Sequence, residues 1–162
     1  MDQEKSESKI AKTAKILSAV QTIILRGIGA SGAIAKYGSY IFDSYAINCT
    51  YIDDPFISVP DYDFSNAAII LLSISGNSDQ LIESAFSYHE KDAYIIAITN
   101  SEDSPLAKIA DESYTHYLIE THYSVHNTTT QIPTIFVLET LAKKTRALID
   151  EQKTLLTKQN PQ

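Results

Sequence analysis

The chain predicts an α/β fold: a parallel sheet with helices on both faces. Short apolar, β-branched runs alternate with stretches of helical periodicity, the pattern of β–α–β units joined by right-handed crossovers. Two of the runs, Ala67-Ala68-Ile69-Ile70-Leu71-Leu72 and Ala93-Tyr94-Ile95-Ile96-Ala97-Ile98, are almost uninterrupted, as central strands covered on both faces must be. Three of the runs also pass directly into turns rich in Gly, Ser, Thr or Asn at 29–32, 73–78 and 99–104. In a parallel sheet these turns share the edge where ligands bind.

The elements follow in order. Residues 1–9 are mostly polar and are expected to fray. Ile10, Ala14, Ile16, Leu17 and Val20 then mark one face of a short helix. Residues 22–28 read as a first strand, Gly29-Ala30-Ser31-Gly32 as a turn, and 33–45 as a helix. A second strand fits 47–52, broken by Asp53-Asp54-Pro55, and a third fits 67–74 after an irregular connection containing Pro60. A helix over 79–89, a fourth strand over 93–98 and a weaker fifth over 113–119 complete the alternation. Between the last two, Ser104-Pro105 starts a short helix, with Pro at its first position. The segment 130–156 is a long amphipathic helix with Ile135, Val137, Leu138, Leu141, Ala142 and Leu148 on its apolar face.

With 162 residues, 44% hydrophobic and 20% charged, the chain suits one domain over 10–156, with 157–162 a second frayed end. Its net charge of −7 and pI near 5.0 argue against a nucleic-acid surface, which needs a concentrated basic face. The single cysteine, Cys49, excludes an internal disulfide. The N-terminus lacks the apolar core of a signal peptide, and no apolar run approaches the ~20 residues of a membrane span. A soluble cytoplasmic protein is expected.

Residues 73–78 name a chemistry most directly. Ser73-Ile74-Ser75-Gly76-Asn77-Ser78 joins the third strand to a helix, so free backbone N–H groups and the positive end of the helix dipole point outward beside three hydroxyls. Gly76 lets the backbone approach a ligand closely. One serine suffices to cap a helix; three around a glycine exceed that need and suit a phosphate. Ser31 lies in the turn after the first strand, and Thr99 and Asn100 follow the fourth; these last two could equally satisfy backbone groups at a strand end. Glu120, beyond the fifth strand, could meet a ligand's hydroxyls or act as a base, or be a solvated carboxylate. His122 and His126 are four apart, but their segment lacks helical periodicity and a third ligand, so no metal site is expected. The turn Gly27-Ile28-Gly29-Ala30-Ser31-Gly32 lacks the third glycine of a dinucleotide fingerprint at its proper place, and no Walker lysine exists. No cofactor is expected.

Taken together, Gly27-Ile28-Gly29-Ala30-Ser31, the 73–78 loop and the run from Ile98-Thr99-Asn100 to Ala110-Asp111 resemble the sugar isomerase (SIS) domains. The likeness is closest to the C-terminal effector domain of RpiR-type (RpiR/MurR) transcriptional regulators, and it covers about residues 12–148. It implies a flavodoxin-like three-layer α-β-α sandwich on a five-stranded parallel sheet, a homodimer or higher oligomer, and a sugar-phosphate site. Matched to the family's motif, the phosphate-binding hydroxyls fall on Ser73, Ser75 and Ser78, with Ile74 contributing its backbone, Ser31 reaching the same ligand, and Gly29, Gly76, Asn77 and Thr99 around it. Two positions depart from the family: Asn77 stands where enzymes often carry an acid, and Ser78 where Thr is usual. Regulators of this family place a helix-turn-helix domain ahead of the SIS domain, and no such segment fits ahead of Ile10; DNA contact would come through that domain alone.

Two functions are compatible with these features. A phosphosugar sensor needs only the cradle. A free-standing aldose–ketose phosphosugar isomerase also needs a general base, for which Glu83, Glu120, His122 and His126 are available and none stands in an identifying motif. Asn77 in the loop favours the sensor.

Overall fold

The computed structural model describes residues 3–159. Its elements are α1 (Gln3–Ala19), β1 (Thr22–Gly27), α2 (Ala30–Ser44), β2 (Cys49–Ile52), β3 (Ala67–Leu72), α3 (Asp79–His89), β4 (Tyr94–Thr99), α4 (Pro105–Ile109), β5 (Glu112–Thr115), β6 (His122–Tyr123), β7 (His126–Asn127) and α5 (Ile132–Gln159). Strands β1 to β5 form one parallel sheet in the order β2-β1-β3-β4-β5, the expected three-layer α/β sandwich. The small antiparallel hairpin β6–β7 is an addition that no periodicity in the sequence announces.

Period-two alternation along the strands splits the core into two layers. Ile23, Leu25, Ile70, Leu72, Ile96 and Ile98 pack with Leu17 of α1, Phe42 of α2 and Leu138 of α5. Ile24, Ile69, Leu71, Ile95 and Ala97 pack on the opposite face with Leu81 and Tyr88 of α3 and Leu106 of α4. Strand β3 is buried along its whole length, which is why its six residues carry no polar alternate.

Several boundaries differ from the sequence expectation. Residues 3–9, expected to fray, are the first turns of α1. That helix is tied to β5: Lys9 and Lys12 both reach Glu112, at 3.1 and 3.4 Å, and Tyr114 donates its hydroxyl to Thr13 Oγ1 at 2.7 Å. Residues 157–159 likewise continue α5, whose last turns are exposed but held locally, Thr154 and Thr157 each donating to the carbonyl four residues back. The remaining residues expected to fray lie outside those described. Strand β5 stops at Thr115 rather than 119. Asn100 takes over the backbone of Leu118, accepting its N–H and donating to its carbonyl, both at 2.5 Å, and so draws the chain out of strand pairing. Among the described residues no helix is long and apolar enough to cross a membrane.

Strand β1 lies between β2 and β3, so connections leave it in one direction and return on the other side. The crevice at that reversal, beyond the carboxyl ends of β1 and β3, is the natural ligand position of such a sheet. The start of α2, which begins at Ala30 and so takes Ser31 and Gly32 out of the expected 29–32 turn, and the 73–78 loop both open there.

Candidate functional site

The 73–78 loop is held from below, not by its own serines alone. Ser73 N–H donates to the Ile98 carbonyl at 3.1 Å. The Ile74 carbonyl accepts from Asn100 N–H at 2.9 Å and from Thr99 Oγ1 at 3.1 Å. The Gly76 carbonyl accepts from Leu106 N–H at 3.0 Å, linking the loop to α4. Gly76 itself has φ 62°, and a Cβ built on it would stand 2.3 Å from Ser104 Oγ and 2.7 Å from Thr99 Oγ1. Only glycine meets both conditions, a left-handed backbone and a floor of side chains.

The three hydroxyls divide by exposure. Ser73 is buried, its Oγ accepting Gly76 N–H at 3.1 Å. Ser75 is exposed and accepts Asn77 N–H at 3.2 Å. Ser78 precedes α3 in extended conformation, yet makes no side-chain capping bond to that helix; its hydroxyl donates instead to Gln80 Oε1 at 3.2 Å. Contrast Ser104, whose Oγ accepts Ala107 N–H at 3.3 Å and caps α4 in the ordinary way. The capping explanation of the serine cluster therefore fails at α3. Leu81 N–H turns back to the Ser78 carbonyl at 3.1 Å, which leaves the Asp79 and Gln80 amides to solvent or ligand, with the dipole favouring an anion. The Asp79 carboxylate in the first turn is exposed and screened by water.

In the turn after β1, Gly29 occupies the position before α2 with φ 60° and no side chain to cap it. Ser31 sits in the first turn of α2, 7% exposed. Its Oγ accepts from Gln131 Nε2 at 3.5 Å, which brings the start of α5 over this loop. Gln131 was invisible to sequence reasoning: it lies 100 residues from its partner and in no motif.

The other expected residues fall differently. Thr99, expected to meet the ligand, is 1% exposed beneath the 73–78 loop, and its hydroxyl is committed to Ile74; it braces the loop. Asn100 acts in the same way for Ile74 and Leu118. Glu120 stands at the base of the β6–β7 hairpin. Its Oε2 accepts from Asn127 Nδ2 at 3.1 Å and lies 3.9 Å from His122 Nε2. These contacts hold it within the hairpin, and none joins it to either serine-bearing turn. His116 lies between β5 and α5, 3.4 Å from Thr134 Oγ1, and burial lowers its pKa. Among the described residues no group of three or more His, Cys, Asp or Glu could hold a metal ion.

The chain is thus a parallel α/β sandwich whose sheet order brings two hydroxyl-bearing segments, the start of α2 and the 73–78 loop, to the reversal point, each at a helix N-terminus without a side-chain cap. The chain belongs to the SIS domain family, whose model matches residues 16–144. It is 26% identical over 134 residues to an uncharacterized HTH-type transcriptional regulator of Clostridium perfringens. That match covers 82% of this chain and 48% of the relative, so the chain spans about half the relative's length. In structure it is similar to the sugar isomerase domain of an RpiR transcription factor from Sphaerobacter thermophilus, with a TM-score of 0.74 at 17% identity over 94% of this chain and 84% of that one. It is also similar to the Vibrio vulnificus NanR protein complexed with ManNAc-6P, with a TM-score of 0.73 at 15% identity over 96% of this chain and 62% of that one. At such identities the structural likeness speaks for the fold.

Proposed function

We propose that this chain is the effector-sensing module of an RpiR-type transcriptional regulator, and that its effector is a sugar phosphate. The phosphate docks on the 73–78 loop, against the Ser75 and Ser78 hydroxyls and the Asp79 and Gln80 amides at the start of α3. The observation that carries this reading is the uncapped start of α3: three serines surround it and none caps it, whereas the same chain caps α4 with Ser104. Ser31 closes the site from the first turn of α2. The curated relative is a regulator of the helix-turn-helix type, and the chain's charge of −7 leaves DNA contact to such a domain.

Sensing is favoured over isomerisation by the surroundings of the loop. Asn77 carries no charge, and Glu120, one of the two carboxylates named for proton transfer, is engaged by Asn127 within its own hairpin. A second copy of the chain completes the reading: Tyr117, Ile132 and Phe136 line one apolar cavity at the start of α5 and are each more than 60% exposed, a surface suited to self-association.

Binding to the folded state alone raises the melting temperature by mass action. Millimolar hexose and amino-sugar phosphates should therefore stabilise the protein while the corresponding free sugars do not. No response across such a panel would remove the phosphate from the loop.

A further inference from the structure

The two halves of α1 are held by different means. Ala14 and Leu17 are buried in the core, at 0% and 1% exposure, whereas residues 4–12 contain no buried residue. Besides Ile10, which packs partly against the core, these first turns are tied to β5. Lys9 Nζ donates to the Ser113 carbonyl, and Lys9 and Lys12 share Glu112. The Tyr114 hydroxyl reaches Thr13 Oγ1 at 2.7 Å and the Lys9 carbonyl at 3.3 Å. Ion pairs open to water add little, so the docking of residues 4–12 belongs to the low end of local stability.

Strand β5 is in turn held where the serine loop is held. It is the last strand of the sheet and pairs with β4 alone. Thr99 stands opposite Thr115 in that register. Beyond this pair His116 N–H donates to the Thr99 carbonyl at 3.2 Å and Tyr117 N–H to the Asn100 carbonyl at 3.0 Å, while the Asn100 side chain takes both backbone groups of Leu118. The same two residues grip the Ile74 carbonyl of the serine loop, Asn100 through its N–H and Thr99 through its hydroxyl. Thr99 and Asn100, 1% and 8% exposed, thus join the serine loop to the strand that carries the start of α1. A ligand that fixes Ile74 restrains them, and through them the path of 115–118 and the docking edge beside it.

We propose that residues 4–12 of α1 are a strap whose docking on β5 is coupled, through Thr99 and Asn100, to the 73–78 loop, so that a sugar phosphate held by the loop tightens the strap. The ligand's part in this rests on the phosphate reading of that loop. The two states are a docked and a released start of α1, and the ligand shifts their populations by its preference for the docked one. Linkage makes the effect reciprocal: the factor by which ligand favours docking is the factor by which docking favours ligand.

Hydrogen exchange read by mass spectrometry, with calorimetry beside it, tests this on the whole chain. Without ligand, Asn100→Ala should speed exchange in residues 4–12 by roughly threefold or more, while residues 34–44 of α2 keep their rate. Thr99→Val, which removes one hydroxyl at nearly constant shape, should act in the same direction and serves if Asn100→Ala does not fold. Glucose, mannose and glucosamine 6-phosphates at millimolar concentration are the ligand probes. Any that binds should slow exchange in 4–12, and Tyr114→Phe should erase that slowing and weaken the same sugar phosphate about fivefold. Exchange in 4–12 that does not respond to a bound probe, or to either ligand-free variant, overturns the coupling and leaves the phosphate reading standing. Absence of binding by every probe overturns both.

Discussion

At the scale of single residues, the serine loop is a division of labour. Ser73 and Thr99 shape the turn from inside, while Ser75 and Ser78 present hydroxyls beside an open helix end. Ser75→Ala should therefore weaken sugar-phosphate binding by about 1–3 kcal/mol, as expected for a lost hydrogen bond to a charged group, with little change in stability because, among the described residues, its hydroxyl is held by the short-range bond from Asn77 N–H. An unchanged dissociation constant would remove Ser75 from the site. Gly76 is different, since its φ of 62° and the Ser104 and Thr99 side chains behind it tie binding to folding. Gly76→Ala should lose at least ~1–3 kcal/mol of stability in urea unfolding together with ligand binding; a variant of wild-type stability would contradict the packing described. The hydroxyls and the glycine were legible in the sequence because motif and turn chemistry are local. Gln131 and the bracing role of Thr99 were not, because each depends on which strand lies alongside and which face a side chain takes.

At the scale of elements, the strands were legible to the extent that burial dictated them. β3 and β4 carry near-continuous apolar runs because helices cover both faces, and sequence and structure agree on them within two residues. β5 was overextended because Asn100 intercepts Leu118, a tertiary contact that periodicity does not encode. The polar start of α1 was read as fraying because its partners, Glu112 and Tyr114, are about a hundred residues away. The junction of β5 and α5 gives a pH prediction. Burial lowers the His116 pKa below its ordinary value of 6.5, so the folded protein holds fewer protons there than the unfolded chain between the two values. Stability is then full above pH 6.5 and falls as the pH drops from there toward the folded value. His116→Gln should flatten this part of the acid limb, read as the difference in urea midpoint between pH 7.5 and pH 5.5. An identical difference in the variant would show that the histidine is not the group responsible.

At the scale of the whole molecule, the α/β architecture places the start of α2 and the 73–78 loop, from separate β–α units, at one reversal point, and the proposed anion site rests on that placement. At the start of α5, Tyr117, Ile132 and Phe136 line one apolar cavity and are each more than 60% exposed. Light scattering after gel filtration should give the mass of a dimer or larger oligomer, and Phe136→Asp should shift it toward 17.9 kDa; a wild-type monomer would contradict the self-association proposed for this face. The central claim concerns the ligand. A thermal-shift comparison of sugar phosphates with their free sugars, run on the wild type and on Ser75→Ala, tests it most directly. Stabilisation by at least one phosphate, none by its free sugar, and a reduced shift in Ser75→Ala is the expected result; equal shifts with and without the phosphate, or none at all, would contradict it.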